Sequence, residues 1–186
     1  PPRPRGRRPR PEAVANIAAA PIGEIHHIKL SGHWMCACGE DGEDAALYDT
    51  VQAVGMEFCP GLGIAIPVGK DSLSMRAIWE DTQGQAHKIV APLSLVVSAF
   101  APVADIRRAA TPELKGGNDT RLLLVDLGQG KHRLGGSCLA QAYTQVGPDI
   151  PDVEPGALRR FFDAVRCYDK GRTIPRVRRG PSSWFS

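Results

Sequence analysis

The chain has 186 residues, 42% hydrophobic and 23% charged, with a formal net charge of +3, a composition that predicts a soluble globular protein of one domain or one small pair. Its longest apolar stretch, Leu93 to Val103, is broken by Ser94, Ser98 and Pro102 and falls far short of the ~20 residues a membrane span needs. No basic-then-apolar leader opens the sequence, and five cysteines, an odd number, argue against a disulfide framework and for a reducing, cytoplasmic setting.

Residues 1–11 hold five Arg, five Pro and one Gly without an acid, a net charge of +5. Residues 168–186 carry Lys170, Arg172, Arg176, Arg178 and Arg179 against Asp169, net +4, which leaves a middle of 13 bases and 19 acids. An acidic body thus lies between two basic ends. One reading makes the ends arms held to nucleic-acid phosphates by charge, in a stand-alone nonenzymatic protein. The other makes them non-native, because Arg, Pro, Gly and Ser are what GC-rich coding DNA yields in the wrong frame, and neither end has apolar periodicity. The abrupt change of composition at both borders favours the second.

Within the body, Glu12 to Ala20 reads as an Ala-rich helix stopped by Pro21 and Gly23. Ile25 to Trp34 suits a strand. Gly42 to Phe58 opens with Glu43 and Asp44, which suit a helix N-terminus, and continues with Ala46, Leu47, Val51, Val54 and Phe58 at helical spacing, ending at Cys59-Pro60-Gly61. Ile64 to Val68 is a short strand running into a Gly69-Lys70-Asp71-Ser72 loop. Ser74 to Glu80 and Lys88 to Ala101 read as strands around the turn Asp81–Gln85. Leu122 to Leu127 reads as a buried strand, and Gly136 to Val146 and Pro155 to Cys167 as helices. The break in composition near Pro102–Asn118 marks a subdomain boundary. The fold class is α+β, a mixed α/β arrangement.

Glu12 and Asn16 stand four residues apart and so share a helix face, where a carboxylate and an amide oxygen are hard ligands suited to magnesium. The same pair is also an ordinary solvated face. Gly61–Asp71 fails the Walker spacing, with Ile64 and Asp71 in place of the required Gly and Ser or Thr. Its Gly-Lys-Asp-Ser segment still offers donors to an anion, or forms a plain turn. Cys36 and Cys38 near His26, His27 and His33 raise zinc, but the spacing is not the usual one and there is no second paired cluster. No nucleophile elbow, paired HxxxH or complete dinucleotide-binding glycine fingerprint appears, and aromatics do not alternate with the basic residues.

The stretches IKLSGHWM (28–35), GEDAALYDTVQAVG (42–55), FCPGLGIAIPVGKDSLSM (58–75), PLSLVVSAFAPVADIR (92–107) and RLLLVDLGQGKHRLGGSCLAQAY (121–143) together resemble phosphoribosylformylglycinamidine synthase of the large, single-chain type. The resemblance runs in one register from about residue 12 to 167. It implies an ATP- and glutamine-dependent ligase of purine synthesis that converts formylglycinamide ribonucleotide to the formylglycinamidine ribonucleotide. It implies a fold like aminoimidazole ribonucleotide synthetase, with an N-terminal-type subdomain over 12–103 and the start of the C-terminal-type subdomain over 104–167, flanked by the ends 1–11 and 168–186. The chain resembles the second synthetase half, so its implied partners are the first half and the glutaminase domain of a parent chain, with self-association through strand edges left open.

The carry-over to residues is narrow. EAVAN (12–16) matches the family helix whose Glu and Asn bind Mg2+ at an auxiliary ATP/ADP site, so Glu12 and Asn16 are the implied metal ligands. Two Asp ligands of the family find no match. One would precede Pro1; the other belongs to a run like HDRSDGG, where this sequence reads TIPRVRRGPSSWFS. No catalytic residue is implied, and the isolated piece is expected to be inactive.

Overall fold

The computed structural model describes residues 12–111, 123–145 and 149–169. The basic end 1–11, residues 170–186 of the other, Leu122, Val146 and residues 112–118 of the expected boundary segment lie outside the described residues. Helix α1 (Glu12–Ile17) opens the described chain. Val14 and Ala18 are buried and Glu12 and Asn16 exposed, the division that a 3.6-residue period imposes on one helix.

Strand β1 (Lys29–Met35) begins later than its apolar content suggested, because Ile25–His27 form a 3-10 turn. Ile25 and Ile28 are both buried, a three-residue spacing that a tight turn satisfies and an alternating strand does not. Helix α2 (Glu43–Gln52) then continues through a wide π-helical turn, Ala53–Phe58, into α3 (Cys59–Leu62). The expected stop at Cys59-Pro60-Gly61 is therefore overrun. Pro60 lies immediately after the π-helical turn, at the second residue of α3, and the helix stops at Gly63, whose φ of 68° is left-handed. The wide turn also rotates the apolar face, so Val54, Phe58 and Leu62 are buried while Val51 is 44% exposed.

Strand β2 (Ala65–Ser72) contains the Gly69-Lys70-Asp71-Ser72 segment that was expected to be a loop. Gly69 to Ser72 pair in parallel with Gly32 to Met35 of β1, after a register shift between Lys29 and Ser31. Pro67 falls in the irregular stretch of β2, consistent with its lack of an N–H to give to the ladder. Strands β3 (Arg76–Glu80) and β4 (Ala86–Val90) form a separate antiparallel hairpin. Its turn is held by the Asp81 carboxylate, which accepts from the N–H groups of Gln83 and Gln85. The single strand expected over Lys88–Ala101 is divided at Ala91–Leu93, and β5 (Ser94–Phe100) crosses to pair antiparallel with β1.

The three-stranded sheet has the order β2-β1-β5. Leu95, Val97 and Ala99 alternate inward to pack on the core. The last helices are α4 (Cys138–Ala142), shorter than expected because Thr144 turns into the left-handed region, and α5 (Pro155–Asp169). Leu158 and Phe162 of α5 are fully buried against Val14, Ile22, Phe58 and Leu62. Leu123–Asp126 is not the buried strand expected. It has no regular structure, and Leu124 is 96% exposed, since no described strand offers its backbone a partner. The result is a mixed α/β fold, as expected, and no helix among the described residues is long and apolar enough to cross a membrane.

Candidate functional site

Glu12 and Asn16 project from the solvent side of α1 while Val14 and Ala18 anchor its other side in the core. The helix is fixed from both directions. Its middle packs on β5 and α5, and the carbonyls of Ala18, Ala20 and Ile22 just beyond it accept from the Arg166 guanidinium. A cation at a helix C-terminus is favourable because the unpaired carbonyls there carry partial negative charge. Two exposed oxygen donors on one rigid face fit part of a hard-cation shell, which takes about six ligands. Among the described residues, no group of three or more His, Cys, Asp and Glu side chains converges to hold a metal.

The histidines and cysteines raised for zinc do not form one cluster. His26 and His27 lie on the 3-10 turn before β1. His33 points instead to Ser72, with 2.9 Å between Nε2 and Oγ. The thiol of buried Cys36 donates to the main chain and, more weakly, to the carboxylate of buried Glu43. Burial, together with hydrogen bonds to Asp44 and Cys36, pushes the Cys38 thiol up to about 11. A thiol held protonated at neutral pH is a poor nucleophile and a poor metal ligand.

The strand placement of Lys70 and Ser72 brings them beside His33, a neighbour that sequence reading grouped with the cysteines. The alternation Ser31, His33, Met35 on one strand and Lys70, Ser72 on the other was the available signal.

One comparison bears on what this arrangement serves. The sequence matches the protein family described as the FGAR-AT PurM_N-like domain over residues 5–102, just over half of the chain. The matched span takes in α1 and all five strands.

Proposed function

The chain belongs to the FGAR-AT PurM_N-like domain family, a synthetase-type family of purine biosynthesis, and from this we propose that it is a piece of the ATP- and glutamine-dependent ligase that makes formylglycinamidine ribonucleotide from formylglycinamide ribonucleotide. In this reading the parent is the large, single-chain type, and the piece comes from its second synthetase half. Helix α1 presents Glu12 and Asn16 to the Mg2+ of an auxiliary ATP or ADP. The observation that carries the reading is the match across α1 and the sheet, supported by the joint exposure of Glu12 and Asn16 on a helix whose other face is locked in the core.

Bound Mg2+ would neutralise phosphate charge; phosphoryl-transfer chemistry rests on such neutralisation and on positioning more than on any one nucleophile. The contribution of this chain is to hold two oxygen ligands at fixed spacing. The core contacts of Val14 and Ala18 orient the helix, and the Arg166 clamp holds its end. Because the first synthetase half and the glutaminase are the proposed partners, the isolated chain turns over no substrate.

Titration with Mg2+ and ADP by calorimetry tests the reading. Binding that requires Mg2+ and weakens about tenfold or more in Glu12→Gln, with a smaller loss in Asn16→Ala, supports it. Nucleotide binding unchanged in both variants, or no binding by the folded chain, rejects the assignment of the two ligands. Ligase turnover by the purified chain with ammonia, ATP and substrate rejects the proposal that it is an inactive piece.

A further inference from the structure

The sheet face turned away from the helices has a composition unlike the rest of the body. By strand register it carries Ser98, Ser31 and Val68 in one row, Val96, His33 and Lys70 in the next, and Ser94, Met35 and Ser72 in the third. No carboxylate occupies any of these positions. Asp71, the nearest acid on β2, is the register partner of Trp34 and belongs to the opposite face. Lys29, in a further row with Phe100, shares this face, so an acidic body presents one face whose charged and titratable groups are two lysines and an imidazole.

Three of these groups already touch. The Lys70 ammonium donates to the Ser72 hydroxyl across 3.3 Å, and the same oxygen lies 2.9 Å from His33 Nε2. All three side chains are held by paired strands rather than by a loop, so their spacing is preorganised. Lys70 is exposed and His33 and Ser72 half-buried, which leaves the ammonium free to turn to an arriving anion. Beside them Val68 and Val96 are 62% and 54% exposed, an apolar border next to a cluster of donors.

We propose that His33, Lys70 and Ser72 bind the phosphate group of a small phosphate monoester, whose carbon frame lies over Val68 and Val96. An ammonium, an imidazole and a hydroxyl give a phosphate up to three charge-assisted or neutral hydrogen bonds at once. The absence of a carboxylate on this face removes the repulsion that would disfavour a dianion. The site lies on the sheet face opposite the one that packs against α1, and so is separate from Glu12 and Asn16.

The test is titration of the full chain with phenyl phosphate and with inorganic phosphate, without Mg2+, followed by calorimetry and by the imidazole NMR signals of His33. Phenyl phosphate should bind, move the His33 signals and weaken as salt rises. Lys70→Gln should weaken it about tenfold or more, and Ser72→Ala by less, while circular dichroism shows both variants folded. Lys70 is exposed, so its replacement leaves the core intact. No binding by the folded chain overturns the site, as does binding that Lys70→Gln and Ser72→Ala leave unchanged. Inorganic phosphate binding as tightly as the ester overturns the part assigned to Val68 and Val96. Binding lost in Glu12→Gln but kept in Lys70→Gln would move the anion to α1, rejecting this inference while leaving the proposed function standing.

Discussion

The guanidinium of Arg166 donates to the main-chain carbonyls of Ala18 and Ala20, joining α5 to the end of α1 across 148 and 146 residues of sequence. Arg166 is only 7% exposed and also lies over the Phe162 ring, 5.9 Å from its centroid. It replaces water at carbonyls that a helix end leaves without intrahelical partners. Replacing it with Met keeps the bulk of the side chain and removes every donor. Arg166→Met should therefore lower unfolding free energy by about 2–4 kcal/mol, measured by urea denaturation. A loss below about 0.5 kcal/mol would show that the carbonyls find other partners.

Phe162 tests the same contact from its apolar side. The ring is fully buried among Val14, Ile22 and Leu62. Phe162→Ala should cost about 3–5 kcal/mol through lost burial and the cavity left behind. Calorimetric or denaturant melts of the full chain check the value, and a near-neutral result would mean that α5 does not pack on α1 in solution.

Gly69 lies against Gly32 in the parallel pair. A Cβ at Gly69 would stand 2.2 Å from the Gly32 carbonyl oxygen, well inside contact distance. Gly69→Ala must push β2 away from β1, and overpacking of this kind costs about 1–3 kcal/mol. Slowed amide exchange of Gly32 to Met35 should be lost in the variant; unchanged protection would refute the close approach.

The hairpin turn makes the fold sensitive to acid. His87 donates to Asp81, and the N–H groups of Gln85 and Gln83 add to it, holding the Asp81 carboxyl below the usual carboxylate range. Asp126 and Glu154 are lowered by backbone N–H groups in the same sense. A depressed folded-state value means the stabilisation is present above the unfolded-state value, near pH 4, and is lost as pH falls through the folded-state value. Denaturation midpoints should drop below about pH 4, and Asp81→Asn should reduce that dependence. A slope unaltered by the substitution would remove Asp81 from the account.

Thiol chemistry separates the five cysteines. Cys138 is exposed, Cys167 is half-buried, Cys36 and Cys59 are buried, and Cys38 is held protonated at neutral pH. Iodoacetamide should modify Cys138 first, and mass spectrometry of timed digests reads the order. Early modification of Cys38 would contradict its surroundings.

Local periodicity carried much of this architecture. Helices α1 and α5 and the division of buried from exposed residues along them follow from contacts at i+3 and i+4, which lie within one stretch of sequence. The exposure of Glu12 and Asn16 on a common face was legible for the same reason. The hairpin turn at Asp81–Gln85 was also legible, since its hydrogen bonds span at most four residues. The π-helical turn was not, because the apolar spacing from Ala46 to Phe58 suits an α-helix as well, and only packing selects the wider turn.

What sequence alone settled about this protein is thus its mixed α/β class and its helical faces, which short-range geometry dictates. Tertiary structure alone decided that Gly69–Ser72 is strand rather than loop, that His33 meets Ser72 from 39 residues away, and that Arg166 closes on Ala18. Each of these depends on which strand or helix end becomes the neighbour. That choice is made by burial of the whole core, where two glycines allow β1 and β2 to approach, and no window of local sequence contains both partners.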